Sequence, residues 1–393
     1  MKVVACAFGS AGFLYPMICA AHAMRSGGHE VLIVSGPESA PVLAAAGLTR
    51  FPRPGIDGPS FTVSDWGNPA SVAIQLKHAA AACDELRPDL MLASILAIGP
   101  LLAAERRGIP VAVLGQFCHL WPADEEDLAL RRAGNDQFEH AWRYGDMGRI
   151  YALARDACGL PSRDWRLASF PMAGDRLLLR SVPGLEPAAD RLEAAGRVGF
   201  VGACAWEPEG DIAADIAWAR STPGNPVLYA YLGRTFGARQ LWPWLLEALN
   251  DGTYRAFAVP SRSDEERPSI PPFVRVAPGH SQSAVVRECA LVTGSATSTS
   301  ALAAMQSGLP LLGADSGGEQ GAVAAALTAL GMFRTLSDAD PAGQVASALG
   351  DDAMSKSARA ARDMLELIDS RDAVLAELRR LITDTSGAAQ ESQ

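Results

Sequence analysis

Residues 291–315 read "LVTGSATSTSALAAMQSGLPLLGAD". The first five, opening on Leu291 and Val292, read as a strand. Residues 298–308 carry a helical pattern that Gly308 closes and Pro310 cannot extend. Residues 309–315 then resume as a strand. Strand, helix and strand at this spacing make a parallel βαβ unit. The link between the first strand and the helix is rich in hydroxyls. Serine and threonine cap helix N-termini well. A helix N-terminus also presents free backbone N–H groups and the positive end of the helix dipole, which suits an anion.

The same alternation extends in both directions. Upstream, residues 226–233, 254–260 and 273–278 read as strands, and 239–250 and 283–290 as helices. Downstream, 321–331 and 357–383 read as helices. An earlier series opens the chain, with strands at 2–8, 30–36, 88–94 and 109–116. Helices at 16–26, 40–47, 70–86 and 99–108 alternate with them, Pro16 standing in the first turn of the first. Residues 122–180 are less regular and more helical. The expectation is an α/β chain with two Rossmann-like, doubly wound parallel-sheet domains facing an interdomain cleft. In such sheets ligands sit at the carboxyl ends of the strands. The expected divisions are an acceptor-side domain over 1–209, a linker over 210–225 and a second domain over 226–356. C-terminal helices over 357–384 are expected to cross back to the first domain, followed by a disordered tail over 385–393.

The bulk composition excludes some classes. The chain has 393 residues, 49% of them apolar and 20% charged, with a formal charge of −10. An acidic chain is a poor partner for nucleic acid or an anionic membrane surface. The seven cysteines are scattered, with no CxxC or Cys/His ligand spacing, and read as reduced thiols. No N-terminal signal pattern and no span of ~20 apolar residues is present. A cytoplasmic enzyme is the expectation, and its oligomeric state is open, a homodimer included.

The stretch 274–320, "VRVAPGHSQSAVVRECALVTGSATSTSALAAMQSGLPLLGADSGGEQ", carries more than a fold. Ser307-Gly308-Leu309-Pro310, the apolar "LLGAD" and the pair Glu319-Gln320 stand at a spacing that resembles the donor-binding signature of the UDP-glycosyltransferase superfamily. That superfamily includes bacterial enzymes that glycosylate antibiotics and other natural products. "NPVLYAYLG" (225–233) resembles the strand that opens its second domain, and "GSAGFLYP" (9–16) its first glycine turn. The resemblance implies the GT-B fold and a nucleotide-sugar donor, without a metal or other cofactor. No Asp-x-Asp pattern stands in a suitable loop; "DAD" at 338–340 reads as a helix start.

Carried over position by position, the resemblance also shows departures. The family's diphosphate-binding His falls on Ser295 and the next two glycines on Ala296 and Thr297. Ser298 and Thr299 follow at the helix start. Gly233, Arg234 and Thr235 occupy a phosphate loop in which Arg234 offers the missing positive charge. The base-stacking aromatic falls on Gly279, next to His280, while Gln282 matches the family's Gln. Glu319 and Gln320 are expected to hold sugar hydroxyls. In the first domain the family's catalytic His falls on Phe13, after Gly12, and its orienting Asp on Ser94. His119, with Asp124 nearby, is the candidate replacement base. Phe13, Trp66 and Trp121 are candidates for an apolar acceptor wall.

The expected function is an inverting, metal-independent transfer of a sugar from a UDP- or TDP-sugar to a small hydrophobic acceptor. A catalytically inactive, glycosyltransferase-like auxiliary or binding protein is the alternative, favoured by the joint loss of the His–Asp pair. A nicotinamide oxidoreductase is disfavoured. "GSAG" lacks the full GxGxxG pattern, and no acid ends the second strand to bind a ribose.

Overall fold

A computed structural model describes residues 1–51, 60–116, 138–163, 171–183, 196–222, 224–232, 238–259, 269–276, 282–315 and 320–391. The chain divides into two compact units. Unit 1 is Met1–Trp206 with Ile368–Gln393, and unit 2 is Glu207–Leu367.

Unit 1 is built on six parallel strands: β1 (Lys2–Cys6), β2 (Glu30–Val34), β3 (Leu90–Ser94), β4 (Val111–Gly115), β5 (Arg176–Leu179) and β6 (Val198–Phe200). Their order is β2-β1-β3-β4-β5-β6. The chain turns one way from β1 to β2 and then returns to place β3 on the other side. The topological switch point therefore lies between β1 and β3. In β1, Val4 and Cys6 join one apolar layer and Val3 and Ala5 the other. That alternation is why a continuously apolar run marks a strand covered on both faces. α3 (Pro69–Leu86) and α4 (Ile98–Arg107) supply the first layer. α1 (Ala11–Ser26), α2 (Ala40–Ala45) and the C-terminal helix α13 (Ser370–Glu391) supply the second. Gly99 allows α4 to meet α3 closely. A Cβ there would stand 2.3 Å from Gln75 Cβ and 2.6 Å from Leu76 N. The Gly99 amide donates to Gln75 Oε1 at 3.2 Å.

Unit 2 holds β7 (Val227–Tyr231), β8 (Arg255–Val259), β9 (Val274–Val276), β10 (Leu291–Ser295), β11 (Leu311–Ala314) and β12 (Phe333–Thr335). The order β12-β11-β10-β7-β8-β9 puts its switch point between β7 and β10. The helices described between them include α6 (Ala213–Arg220), α7 (Ala238–Ala248), α8 (Gln282–Val286), α9 (Ser298–Ser307), α10 (Gln320–Ala329), α11 (Pro341–Leu349) and α12 (Asp352–Glu366). Asp340 caps α11 by accepting from Gly343 N at 3.0 Å, so "DAD" does start a helix.

Several expectations change. α1 begins at Ala11, five residues before Pro16, because Ser10 O accepts from Phe13 and Leu14 and starts the helix early. β5, from the stretch over 122–180 read as irregular, and β6, from a stretch without an element reading, complete the first sheet; strands of four and three residues are too short to show a period. The stretch read as a linker over 210–225 contains α6. Its Trp218 ring packs on Phe257 at 5.8 Å and receives Arg255 at 4.8 Å, so packing holds a segment with a weak local signal. The expected tail over 385–393 is helical through Glu391. Thr385 Oγ1 donates to Leu381 O at 2.7 Å within that last stretch. The remaining helix α5 (Phe138–Ala157) packs beside α3 and α4 through Tyr151 and Ala154.

Candidate functional site

In unit 1 the carboxyl ends of β1, β3, β4 and β5 converge on one small pocket. Gly12, Phe13 and Pro16 of α1 line it, with Ile95 after β3, Leu114, Gly115 and Gln116 at the end of β4, and Arg180 after β5. The backbone fixes this edge. Ile95 N donates to Leu114 O at 2.9 Å, and Arg180 N donates to Gly115 O at 2.9 Å. The cavity volume is about 10 Å³, room for about one water molecule.

Phe13 sits in the first turn of α1, partly buried, with its ring edge-on to Phe8 at 5.4 Å. It is apolar wall where the resemblance implies a base. Ser94 is 2% exposed, and its Oγ accepts from Phe8 N at 3.4 Å. The hydroxyl is thus tied into the β1–β3 edge, beneath the surface. Trp66 is partly buried and packs on the apolar layer containing Phe8 and Phe61. It is not among the residues that line the pocket. His119, Trp121 and Asp124 lie outside the described residues.

In unit 2 the corresponding edge lies at the ends of β7, β10 and β11. Gly294 pairs with Tyr231 across β10 and β7. Its φ is +133°, and a Cβ would lie 1.8 Å from Tyr231 O. Only glycine fits where the two strands part. The chain then passes Ser295, fully buried, and Ala296, whose amide donates to Ala314 O at 2.8 Å. Thr297 caps α9. Its Oγ1 accepts from Ser300 N at 3.3 Å, while Ser300 Oγ accepts from Thr297 N at 3.0 Å. This reciprocal capping box uses part of the hydroxyl wealth of the turn for the helix itself. Ser298 is buried at the first helical position, and Thr299 is exposed at the second. Neither the amide nor the hydroxyl of Thr299 meets another described residue. Gln320 is 2% exposed at the start of α10, after β11.

Gly233, Arg234 and Thr235 follow β7, and Glu319 precedes α10; these four and His280 lie outside the described residues. Gln282 opens α8. The edge thus joins the predicted Ser295–Thr299 turn and Gln320 to the strand ends from which the other donor candidates depart. Chemically, the N-terminal turn of a ten-residue helix at a switch point offers amide, hydroxyl and dipole to an anion, here at the exposed Thr299. Among the described residues no group of three or more His, Cys, Asp or Glu side chains is arranged to hold a metal ion.

Solved structures share this architecture end to end. The kitacinnamycin glycotransferase matches with a TM-score of 0.73 and 19% identity, over 97% of this chain and 99% of its own. The fold is that of glycosyltransferases. The spinosyn rhamnosyltransferase SpnG matches at 0.67 and 20%, over 96% of this chain and 100% of its own, and has been solved with thymidine diphosphate and with spinosyn aglycone. The glycosyltransferase VinC, solved in complex with DTDP, matches at 0.68 and 17%, over 98% and 100%. No protein-family model matches the chain. The two sheets are those of the GT-B architecture expected from the sequence.

Arg180 and Gln116 line the pocket and are not among the residues singled out from the sequence. The signal for Arg180 was a charged residue directly after the apolar run Leu177–Leu179, and β5 had not been read as a strand. No helix among the described residues is long and apolar enough to cross a membrane.

Proposed function

We propose that the chain is an inverting, metal-independent glycosyltransferase that moves a sugar from a UDP- or TDP-sugar to a small natural-product acceptor. The observation that carries this reading is the N-terminal turn of α9, in which Thr299 is exposed, at the β7–β10 switch point. The end-to-end fold likeness to glycosyltransferases, some of them solved with thymidine diphosphate, supports it. In the reaction an acceptor oxygen attacks the anomeric carbon on the face opposite the diphosphate. The carbon–oxygen bond to the diphosphate breaks, and its electron pair leaves with the phosphate oxygen. The acceptor proton passes to His119, which Asp124 orients. The α9 terminus, the Thr297 and Thr299 hydroxyls and the Gly233-Arg234-Thr235 loop stabilise the leaving diphosphate. Glu319 and Gln320 hold sugar hydroxyls.

A second reading, an auxiliary protein that binds without transferring, is favoured by Phe13 packed on Phe8 and by Ser94 bonded beneath the edge. Thermal unfolding with UDP, TDP and their sugars, followed by mass analysis of incubated acceptors, separates the two. A ligand at ~100 times its dissociation constant adds about 2.7 kcal/mol to stability. The expected result is a clear shift with one nucleotide and a glycosylated product. A shift without product selects the auxiliary protein, and no shift with either nucleotide sinks the donor site.

A further inference from the structure

Arg180 is half-buried and differs in its partners from Arg155, Arg176, Arg255 and Arg275. Arg155 faces Glu105, with Nη1 and Nη2 at 2.6 and 2.8 Å from its two oxygens. Arg176 faces Glu377, and Arg275 donates to Asp215 at 2.6 Å. Arg255 has no carboxylate but donates to Trp218 O and Ala219 O at the end of α6 and lies over the Trp218 ring. Arg180 has neither arrangement. Its Nε donates to Ala203 O at 3.0 Å. Its two terminal nitrogens meet no partner among the described residues. The ionisable groups acting on it are the thiols of Cys19 and Cys204, not carboxylates. Burial works against the charge and draws its pKa down from the ordinary arginine value. A partly buried cation without a counter-charge costs stability, and an incoming anion would relieve that cost.

The surroundings define the anion. Arg180 lines the pocket together with Phe13, Pro16, Ile95 and Leu114, which are apolar, and with Gln116. One cation matches one negative charge. A guanidinium with both terminal nitrogens open pairs side by side with the two oxygens of a carboxylate. The pocket has the size of one water molecule and does not enclose a carboxylate; the group would meet Arg180 at the rim, beside Phe13. A phosphate, with more oxygens and up to two charges, suits this single cation and apolar wall less well.

We propose that Arg180 is a specificity residue that recognises a carboxylate on the acceptor, so that the acceptor is an apolar, aromatic or aliphatic, carboxylic acid. This rests on the acceptor-side reading of unit 1 given above. It needs no covalent step of its own; the carboxylate anchors the acceptor while the transfer proceeds as described.

The test is a titration of the full chain with benzoate, benzamide and inorganic phosphate, read by calorimetry and thermal unfolding. It is repeated on Arg180→Gln and Arg180→Lys, with TDP and UDP titrated in parallel. Benzoate should bind the unaltered chain, and benzamide, of the same shape without charge, about tenfold or more weakly. Arg180→Gln should lose that preference, and Arg180→Lys should keep part of it. Without ligand, Arg180→Gln should melt at or above the parent temperature, because it removes an unpaired cation. Equal binding of benzoate and benzamide overturns the proposal on the unaltered protein, whether or not the variant folds. So does unchanged benzoate preference in Arg180→Gln, or phosphate binding more tightly than benzoate. Nucleotide binding without benzoate binding refutes this inference and leaves the transferase reading standing; the reverse pattern refutes the transferase reading alone.

Discussion

Single residues in this chain carry several loads at once. Thr297 and Ser300 lie in the hydroxyl-rich turn that drew attention as a phosphate site, and the two bond each other as a helix cap. Both uses draw on the same chemistry, oxygens beside free amides, which is why the sequence alone does not separate them. Glu105 shows a load that the sequence hid. The hydrogen-bonded Arg155 guanidinium beside it holds its carboxyl below the ordinary glutamate value of 4.5. A depressed folded-state pKa means stability that is present above the unfolded value and lost as pH falls through the folded one. Glu105→Gln should therefore cost about 1–3 kcal/mol near neutral pH, because Arg155 stays buried without its partner. The cost should shrink as pH falls below about 4. Urea unfolding of parent and variant across that range checks it; a difference independent of pH refutes the ion pair as its source.

Elements were easier to read than their ends. α3 was read one residue from its start, since Asn68 caps it and Pro69 opens it. α1 was misread by five residues, because Pro16 is as acceptable in a first turn as it is rare inside a helix, and nothing local chose between them. β5 and β6 were missed, and with β5 went Arg180. A strand of three or four residues is recognisable only by its neighbours, here β4 pairing Ala112 to Gly115 with Arg176 to Leu179. The α3–α4 contact belongs to this scale as well. Gly99→Ala would force Gln75 and the Leu76 backbone apart from the new methyl group, and backbone gives way poorly. The expected loss is about 1–3 kcal/mol, measured by denaturant unfolding, with a larger loss for Gly99→Val. A neutral Gly99→Ala would show that the two helices part without cost.

At the scale of the molecule, the chain closes unit 1 with its last helix. α13 packs Val374, Leu378 and Leu381 into the apolar layer of α1 and sends Glu377 to Arg176 on β5. A chain ending at residue 367 should therefore lose the packing of unit 1 and expose the apolar face of α1, seen as aggregation or strong binding of a hydrophobic dye. The contiguous segment 207–367 has its own sheet and its own core around Leu228, Trp244 and Leu312. Expressed alone, it should unfold cooperatively and keep whatever nucleotide binding the full chain shows. If 207–367 is unfolded in isolation, its core depends on the rest of the chain.

The sequence by itself determined the two series of parallel βαβ units, because an apolar run between helix-closing glycines is a local signal that packing only confirms. It also marked the turn before α9, since helix capping is set by residues a few positions apart. Only the tertiary structure decided that Phe13 is the third residue of a helix and packs on Phe8, and that Ser94 is tied to the backbone of β1. Only it brought Arg180 beside Phe13 and left that cation without a carboxylate. Those facts depend on which strands lie side by side. Phe13 and Arg180 are 167 residues apart in sequence and meet because the strand order sets the ends of β1, β3, β4 and β5 along one edge.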